Sequence, residues 1–173
     1  MMLDRPSFDS QTLLDIEDDT RLGRIHMSKN DGVNPLFGKI DTIHVFGGRS
    51  VSMIDSATMT RAYETGSDLE SNQIAQYSST FNGDCSSLNL SPTGESDMRS
   101  DDMGPEPTGL AIGTVDGVAV LVTGGRNGVL SVFSMRGVAA LYESNYRDGA
   151  TNEFWSGLYD KNTVGDAVIT DIG

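Results

Sequence analysis

Cysteine and basic residues are scarce in this sequence, and each shortage excludes a class of protein. The 173 residues include one cysteine, Cys85, so no disulfide can form within the chain and no metal cluster can be built from several thiolates. Twelve Lys and Arg residues stand against twenty-five Asp and Glu residues, a formal charge of −13. Such a field repels nucleic acid and anionic membranes and attracts divalent cations. We therefore expect divalent cations among the partners, and no nucleic acid.

Long apolar runs are also missing. No stretch approaches the roughly 18 apolar residues of a membrane span, and residues 1–9 lack the basic start and apolar segment of a signal peptide. Hydrophobic residues nevertheless make up 37% of the chain and charged residues 21%, so a core can form. The composition predicts a folded domain with no membrane span in this chain.

The second half of the sequence has a strong strand pattern. Runs rich in β-branched and aromatic residues alternate with turn pairs such as Asp116-Gly117 and Arg136-Gly137. Four short strands joined by tight turns predict an antiparallel meander. The predicted strands are Leu110–Val115, Val118–Thr123, Val129–Ser134 and Val138–Tyr142.

The first half is less regular. Residues 1–20 read as an acidic connector with at most a short helix, and Leu22–Met27 has a strand-like pattern. Ile40–Phe46 and Arg49–Ile54 are rich in strand-forming residues and flank Gly47-Gly48, which predicts a β-hairpin.

One helix and one long loop separate these halves. Ser67-Asp68-Leu69-Glu70 is a candidate capping box, and the apolar spacing after it predicts a helix over about residues 68–79. Residues 82–107 have little apolar periodicity and carry several acids. A loop of that length is usually functional or disordered.

An internal repeat connects the two halves. Ile43–Ile54 and Leu121–Phe133 both read strand, Gly-Gly-Arg, strand, and each copy then reaches a further strand that ends in Tyr-Glu. Repeated antiparallel units of this kind build β-propellers, but two units cannot close a ring of at least about four. The chain is then either a fragment of a longer propeller or a different β fold.

We therefore predict an all-β fold, a partial β-propeller of about two four-stranded antiparallel blades with one short helix and a long acidic loop. The propeller part spans residues 21–173, with blade-like units at about 21–65 and 108–144 and an insertion at 66–107.

Four segments of the sequence carry a resemblance to a known family, and they are Arg21–Ile25, Phe46–Ser52, Arg99–Pro107 and Gly165–Gly173. They resemble the choice-of-anchor I family of extracellular β-propeller proteins, some relatives of which are cell-surface glycoproteins linked to biomineralisation. The resemblance implies an extracellular or cell-surface location and a chain that continues past Asp171-Ile172-Gly173. Two positions depart from the family pattern, because Thr108 and Gly125 stand where it has acids.

Asp101, Asp102 and Glu106 are the candidate metal ligands. They lie close together on a connector stiffened by Pro105 and Pro107, and carboxylate oxygens suit Ca²⁺. The spacing matches no EF-hand loop, so the alternative is a solvated acidic loop. We expect weak Ca²⁺ binding here.

Arg49 and Arg126 are candidate anion-binding residues, since each follows Gly-Gly in its copy of the repeat and a guanidinium group can hold phosphate, sulfate or carboxylate. The alternative is that each pairs with an acid of the protein. Asn89-Leu90-Ser91 is an N-glycosylation acceptor pattern, weakened by the proline that follows. Trp155, with Phe154 and Tyr159, predicts a packed aromatic cluster.

Two functions fit these features. The first is a Ca²⁺-binding propeller protein of the cell surface or extracellular space, with an adhesion, matrix or biomineralisation role and with matrix or cell-surface ligands as partners. The second is a propeller-type Ca²⁺-dependent phosphoesterase, phytase-like or alkaline-phosphatase-like, in which Arg49 and Arg126 hold the substrate phosphate. The departures at Thr108 and Gly125 count against the second. The sequence contains no motif for a catalytic nucleophile, and we predict no catalytic residue.

Overall fold

The structure is a computed structural model that describes residues 2–46, 48–83, 96–101, 103–151 and 153–165, together with Ile169 and Ile172. It is mostly β, and its paired strands run antiparallel, which confirms the all-β prediction at this level. Within the described ranges no sheet closes on itself, and no helix is long and apolar enough to cross a membrane. The strands are β1 (Val33–Asn34), β2 (Lys39–Ile40), β3 (Ser52–Ile54), β4 (Arg61–Glu64), β5 (Pro107–Val115), β6 (Val118–Gly125), β7 (Leu130–Arg136) and β8 (Ala139–Tyr146), and the helices are α1 (Ser10–Ile16), α2 (Asp68–Gln76) and α3 (Trp155–Asp160).

The chain divides into two compact units. The first unit contains residues 1–47 and 100–103, and the second contains residues 48–99 and 104–173. The acidic loop therefore contributes to both units. The predicted blade boundaries remain a prediction.

The first unit is built from α1 and the β1–β2 hairpin. Helix α1 begins after Asp9, whose carboxylate accepts hydrogen bonds from the backbone N–H groups of Gln11 and Thr12, a standard N-cap. The sequence allowed only a short helix in this region, and α1 has seven residues. In the hairpin, Val33 pairs with Ile40.

The second unit contains the sheet that the sequence predicted most clearly. Strands β5, β6, β7 and β8 form a meander in sequence order, which confirms the four predicted strands. The turn between β5 and β6 has Asp116 and Gly117 at φ angles of 49° and 80°, the left-handed geometry that this hairpin turn requires.

One face of this sheet carries the core. Leu121 pairs with Phe133, and Phe133 with Tyr142, across β6, β7 and β8. The rings of Phe133 and Tyr142 meet edge to face at 6.0 Å. The β3–β4 hairpin lies over this face and contributes Met53 and Tyr63, and the Tyr63 hydroxyl donates to the carbonyl of Ala140 at 2.9 Å. The first copy of the repeat therefore packs on the sheet formed by the second.

Helix α2 is fixed to the sheet by polar contacts as well as by Leu69, which is buried in the core. The buried Gln73 side chain donates to Ser131 at 3.2 Å and accepts from Asn127 at 2.6 Å. Ser131 in turn donates to Asn145 at 2.7 Å. Buried polar groups need such partners, because an unpaired one costs about 1–3 kcal/mol. This network fixes the position of the helix along the strands.

The predicted helix is confirmed, but the capping box is not formed. The helix begins at Asp68 after Ser67, and the Ser67 side chain makes no capping hydrogen bond.

Two strand predictions in the first half were wrong. Ile40–Phe46 does not pair with Arg49–Ile54; Val45 instead forms an isolated bridge with Met27, and β3 pairs with β4. The reason is turn chemistry: Asp55 accepts hydrogen bonds from the N–H groups of Ala57 and Thr58, which favours a turn there. The first copy thus shows a two-stranded pair where a four-stranded blade was predicted.

The strand expected at Leu22–Met27 is replaced by a turn followed by the Met27 bridge. The Asp18 carbonyl accepts from the N–H groups of Arg21 and Gly23, so this segment starts as a tight turn.

Of the three residues in the predicted aromatic cluster, Trp155 is buried. It is 1% exposed, and its indole N–H donates to the Thr80 carbonyl at 3.0 Å. The Arg147 guanidinium lies 4.4 Å from the centre of the Trp155 ring, a cation–π distance. Phe154 is 53% exposed and Tyr159 45%, so the predicted burial is confirmed for Trp155 and wrong for the other two.

Candidate functional site

The Glu106 peptide joins the two Gly-Gly-Arg segments of the repeat. Its N–H donates to the carbonyl of Gly48 at 2.8 Å, and its carbonyl accepts from the N–H of Arg126 at 3.2 Å. Glu106 has a φ angle of 45°, an uncommon conformation for a residue with a side chain. Strain of this kind persists only where surrounding contacts enforce it. The two repeat segments, far apart in sequence, are thus held together by one residue of the acidic loop.

The Glu106 carboxylate forms an ion pair with Arg99, with 2.7 Å between Oε2 and Nη2. The two side chains are 15% and 18% exposed. The backbone N–H of Arg99 also donates to the carbonyl of Asn82 at 3.0 Å. The two ends of the acidic loop are therefore joined to each other.

Arg49 pairs with Glu70 of α2. The stem of Arg49 also packs closely on the backbone of Gly104, where an added Cβ would lie 2.6 Å from Arg49 Cγ. The loop approaches Arg49 this closely because residue 104 has no side chain. The pairing with Glu70 is a contact with an acid of the protein, which was the alternative to anion binding in the sequence analysis. Anion binding by Arg49 stays a prediction.

Arg126 differs from Arg49 in exposure. Its neighbours Gly125 and Asn127 are buried, whereas its own side chain is exposed and makes no hydrogen bond or ion pair with the described part of the chain. A guanidinium group in this state is chemically available to a carboxylate, sulfate or phosphate. Anion binding at Arg126 also stays a prediction.

The candidate metal ligands do not all lie in the described residues. Asp101 belongs to the first unit, where its carboxylate lies 3.8 Å from Arg24 and its carbonyl accepts from the N–H of His26. Glu106 belongs to the second unit. Asp102 and the glycosylation candidate Asn89 fall outside the described residues.

Oxygen donors of this kind fit Ca²⁺, but each described carboxylate already has an arginine beside it. A cation would have to compete with Arg24 at Asp101 and with Arg99 at Glu106. Among the described residues, no three His, Cys, Asp or Glu side chains are grouped to hold a metal ion. Ca²⁺ binding at these residues remains a prediction.

The structure gives a reason for the residues present at Thr108 and Gly125. A Cβ at position 125 would lie 2.5 Å from the Pro105 carbonyl oxygen, so no side chain fits there. The Thr108 hydroxyl donates to the carbonyl of Ile169 at 2.7 Å. Both positions serve packing and hydrogen bonding in this chain.

Sequence reasoning missed two residues of this region, Glu70 and Arg99. Glu70 was assigned to a capping box, and Arg99 was treated as part of a motif with no role of its own. Glu70 is 21 residues from its partner Arg49, and Arg99 is 7 residues from its partner Glu106. Neither spacing belongs to a regular helix or strand pattern, so the sequence gives no distance between these charges.

Comparisons with known proteins give one family model and two similar relatives. The model of the choice-of-anchor I domain matches residues 1–138. Gigasin-3a of Magallana gigas is 34% identical over 145 residues, covering 82% of this chain and 47% of the relative. A mesenchyme-specific cell surface glycoprotein of Strongylocentrotus purpuratus is 31% identical over 176 residues, covering 95% of this chain and 22% of the relative. The chain thus spans less than half the length of these relatives, and no solved structure matches it.

Proposed function

The chain belongs to the choice-of-anchor I family, and from this we propose that it is part of an extracellular or cell-surface β-propeller protein whose role is binding, in adhesion, matrix or mineral-associated processes. One observation carries the proposal. The β5–β8 meander has the four antiparallel strands, in sequence order, of a single propeller blade. The β3–β4 hairpin, which belongs to the preceding copy of the repeat, packs on its face. Blades bury their faces against one another in this way.

The proposed location rests on the relatives. One of them is named as a cell surface glycoprotein. N-glycosylation at Asn89 belongs to the same proposal, since such acceptor sites are used in secreted and surface proteins.

We extend the proposal to Ca²⁺, with Asp101, Asp102 and Glu106 as ligands. The charge of −13 favours divalent cations near the surface. Because Arg24 and Arg99 already neutralise two of the carboxylates, we expect weak affinity, on the order of 10⁻⁴–10⁻³ M, the range of extracellular modules. Millimolar Ca²⁺ outside a cell would fill such a site.

A binding role is favoured over the phosphoesterase. In the phosphoesterase, Arg49 has to hold the substrate phosphate, yet it is engaged with Glu70. Thr108 and Gly125 also stand where the family pattern has acids, so a catalytic or metal site that needs those two carboxylates is incomplete in this chain.

Surface staining tests the proposal. The full-length parent, tagged next to this domain, is expressed in animal cells, and an antibody to the tag is applied before and after permeabilisation. We expect staining of intact cells or tag in the medium. Staining only after permeabilisation, with a cytosolic protein as the matched control, contradicts the proposal.

A further inference from the structure

The β1–β2 hairpin of the first unit ends in two large apolar side chains that face solvent. Leu36 is 83% exposed and Phe37 is 69% exposed. They are consecutive and lie at the tip of a turn, Pro35–Gly38, which we call the Leu-Phe tip. Single exposed apolar residues are common on protein surfaces, but two adjacent large ones at a projecting turn form a patch.

The Leu-Phe tip is held in one conformation before any partner arrives. Asn34 accepts a hydrogen bond from the N–H of Leu36 through its side chain at 2.9 Å and from the N–H of Gly38 through its carbonyl at 2.8 Å. Its amide also donates to Asp41 at 2.9 Å. Gly38 supplies the positive φ angle of 61° that closes the turn, and Pro35 restricts its own φ. A preorganised tip loses little conformational entropy on binding.

A lipid surface does not fit this tip. One myristoyl chain alone gives only marginal, reversible membrane binding, and stable attachment needs a second signal such as a basic patch. The side chains of Leu36 and Phe37 together have fewer carbon atoms than one such chain. The first unit also has ten acidic residues against five Lys and Arg, so the second signal is missing.

A second copy of the chain does not fit either, because two acidic surfaces repel each other. The same charge fits a basic partner. Lys39, beside the tip, lies 3.5 Å from Asp4, so these two charges offset each other. Asp31 and Asp41 flank the hairpin, and Lys29 is the remaining base near them in sequence. Acids therefore outnumber bases around the tip, and we call them its acidic surround.

We propose that the Leu-Phe tip is a docking anchor for another protein, one that offers an apolar pocket with a rim of Lys and Arg. Leu36 and Phe37 enter the pocket and supply most of the affinity, as buried anchors do at protein interfaces. The acids around the hairpin face the basic rim and speed the encounter.

The test uses three versions of the full chain, immobilised side by side: wild type, Leu36→Ser/Phe37→Ser, and Met59→Ser. Met59 is 77% exposed at the β3–β4 turn, so its change to Ser is a matched loss of exposed apolar surface elsewhere. Each chain is incubated with an extracellular-matrix extract and, separately, with a cytosolic extract. Every protein retained by wild type is purified and titrated against all three chains at low and high salt. Thermal melting verifies that the three chains are equally folded.

The proposal expects a purified protein that binds the wild type and Met59→Ser equally. Its affinity for the double variant should fall by roughly thirtyfold or more, the change that corresponds to the loss of one hot-spot residue. Binding should also weaken at high salt, because salt screens the acidic surround from the basic rim.

Several outcomes would overturn it: equal retention by the three chains, no protein whose retention depends on the tip, or binding that does not respond to salt. Two further results would also overturn the proposal, because each would show that the Leu-Phe tip binds something other than a different protein. These are tip-dependent binding to phosphatidylcholine vesicles, and tip-dependent self-association of the chain in sedimentation. A tip-dependent partner found only in the cytosolic extract would leave this inference standing while contradicting the proposed surface location.

Discussion

Arg99 and Glu106 form an ion pair in which both side chains are more than four fifths buried. The backbone contacts of these two residues show that the pair closes the acidic loop. Arg99 is attached to Asn82 through its backbone, and Glu106 to Gly48 and Arg126 through its own. Breaking the pair therefore acts on the loop and on both repeat segments together.

The first prediction concerns this pair. Removing one partner leaves a charge largely buried, which costs more than a surface pair and less than a fully buried one, about 1–3 kcal/mol. We expect Arg99→Met and Glu106→Gln each to lower the free energy of unfolding by that amount in urea denaturation. The double variant should lose less than the sum of the two. Strict additivity would mean that the pair does not couple the two residues.

Gly125 should tolerate no side chain. Gly125→Ala places a methyl group 2.5 Å from the Pro105 carbonyl oxygen, and overpacking of this kind costs about 1–3 kcal/mol. Gly113→Ala, in the neighbouring strand, has open space around its Cβ and should be neutral or stabilise by up to about 1 kcal/mol. Equal melting temperatures for the two variants would refute the steric account.

Trp155→Phe should destabilise the second unit. It removes the hydrogen bond to the Thr80 carbonyl and weakens the contact with Arg147. Losing a buried hydrogen-bond donor and a cation–π contact together costs about 2 kcal/mol or more. Phe154→Leu, at the exposed neighbour, should change the unfolding free energy by less than about 0.5 kcal/mol. A larger effect at Phe154 than at Trp155 would contradict the burial described for the two rings.

Burial raises the pKa of the Tyr77 phenol above its ordinary value of 10.0. A raised folded-state pKa means that the neutral phenol stabilises the fold fully below about pH 10 and that this contribution is lost as the pH rises through the higher folded value. We expect the free energy of unfolding of the wild type to fall more steeply above about pH 10 than that of Tyr77→Phe. At neutral pH the variant should be less stable by about 1 kcal/mol, because the hydrogen bond to the Asn145 carbonyl is lost. Parallel curves above pH 10 would exclude Tyr77 as a source of the pH dependence.

Calcium titration tests the proposed ligands. The wild-type chain should release or absorb measurable heat and melt at a higher temperature in millimolar Ca²⁺, since a ligand that binds only the folded state stabilises it. The Asp101→Asn/Asp102→Asn/Glu106→Gln variant should lose both effects. Arg126→Gln is a control that leaves the carboxylates in place. Equal heats and equal thermal shifts for wild type and triple variant would remove these residues as the site.

The β5–β8 sheet could be predicted because the strand patterns and turn residues that determine its pairing lie next to one another in the sequence. Each strand from Leu110 to Tyr142 has its partner across a turn such as Asp116-Gly117, so pattern and turn chemistry point to the same register. Helix α2 was predictable from the spacing of its apolar residues, which is also local, although the capping box expected at Ser67 does not form.

The hairpin predicted for the first half is wrong because the prediction rested on Gly47-Gly48 alone. Asp55 accepts hydrogen bonds from the N–H groups of Ala57 and Thr58, and the turn that they form joins β3 to β4. The pairs Arg49–Glu70 and Arg99–Glu106 depend on how the chain folds back on itself, which no local pattern encodes.

The strand order of the β5–β8 meander has a kinetic consequence. Every pairing in it joins neighbours along the chain, so its contacts close short loops and form quickly. The contacts of Tyr63 with Ala140, Gln73 with Ser131 and Glu106 with Gly48 close loops of tens of residues. Refolding of the second unit should then begin with the meander, and docking of the β3–β4 hairpin and α2 should be the slower step that completes its core.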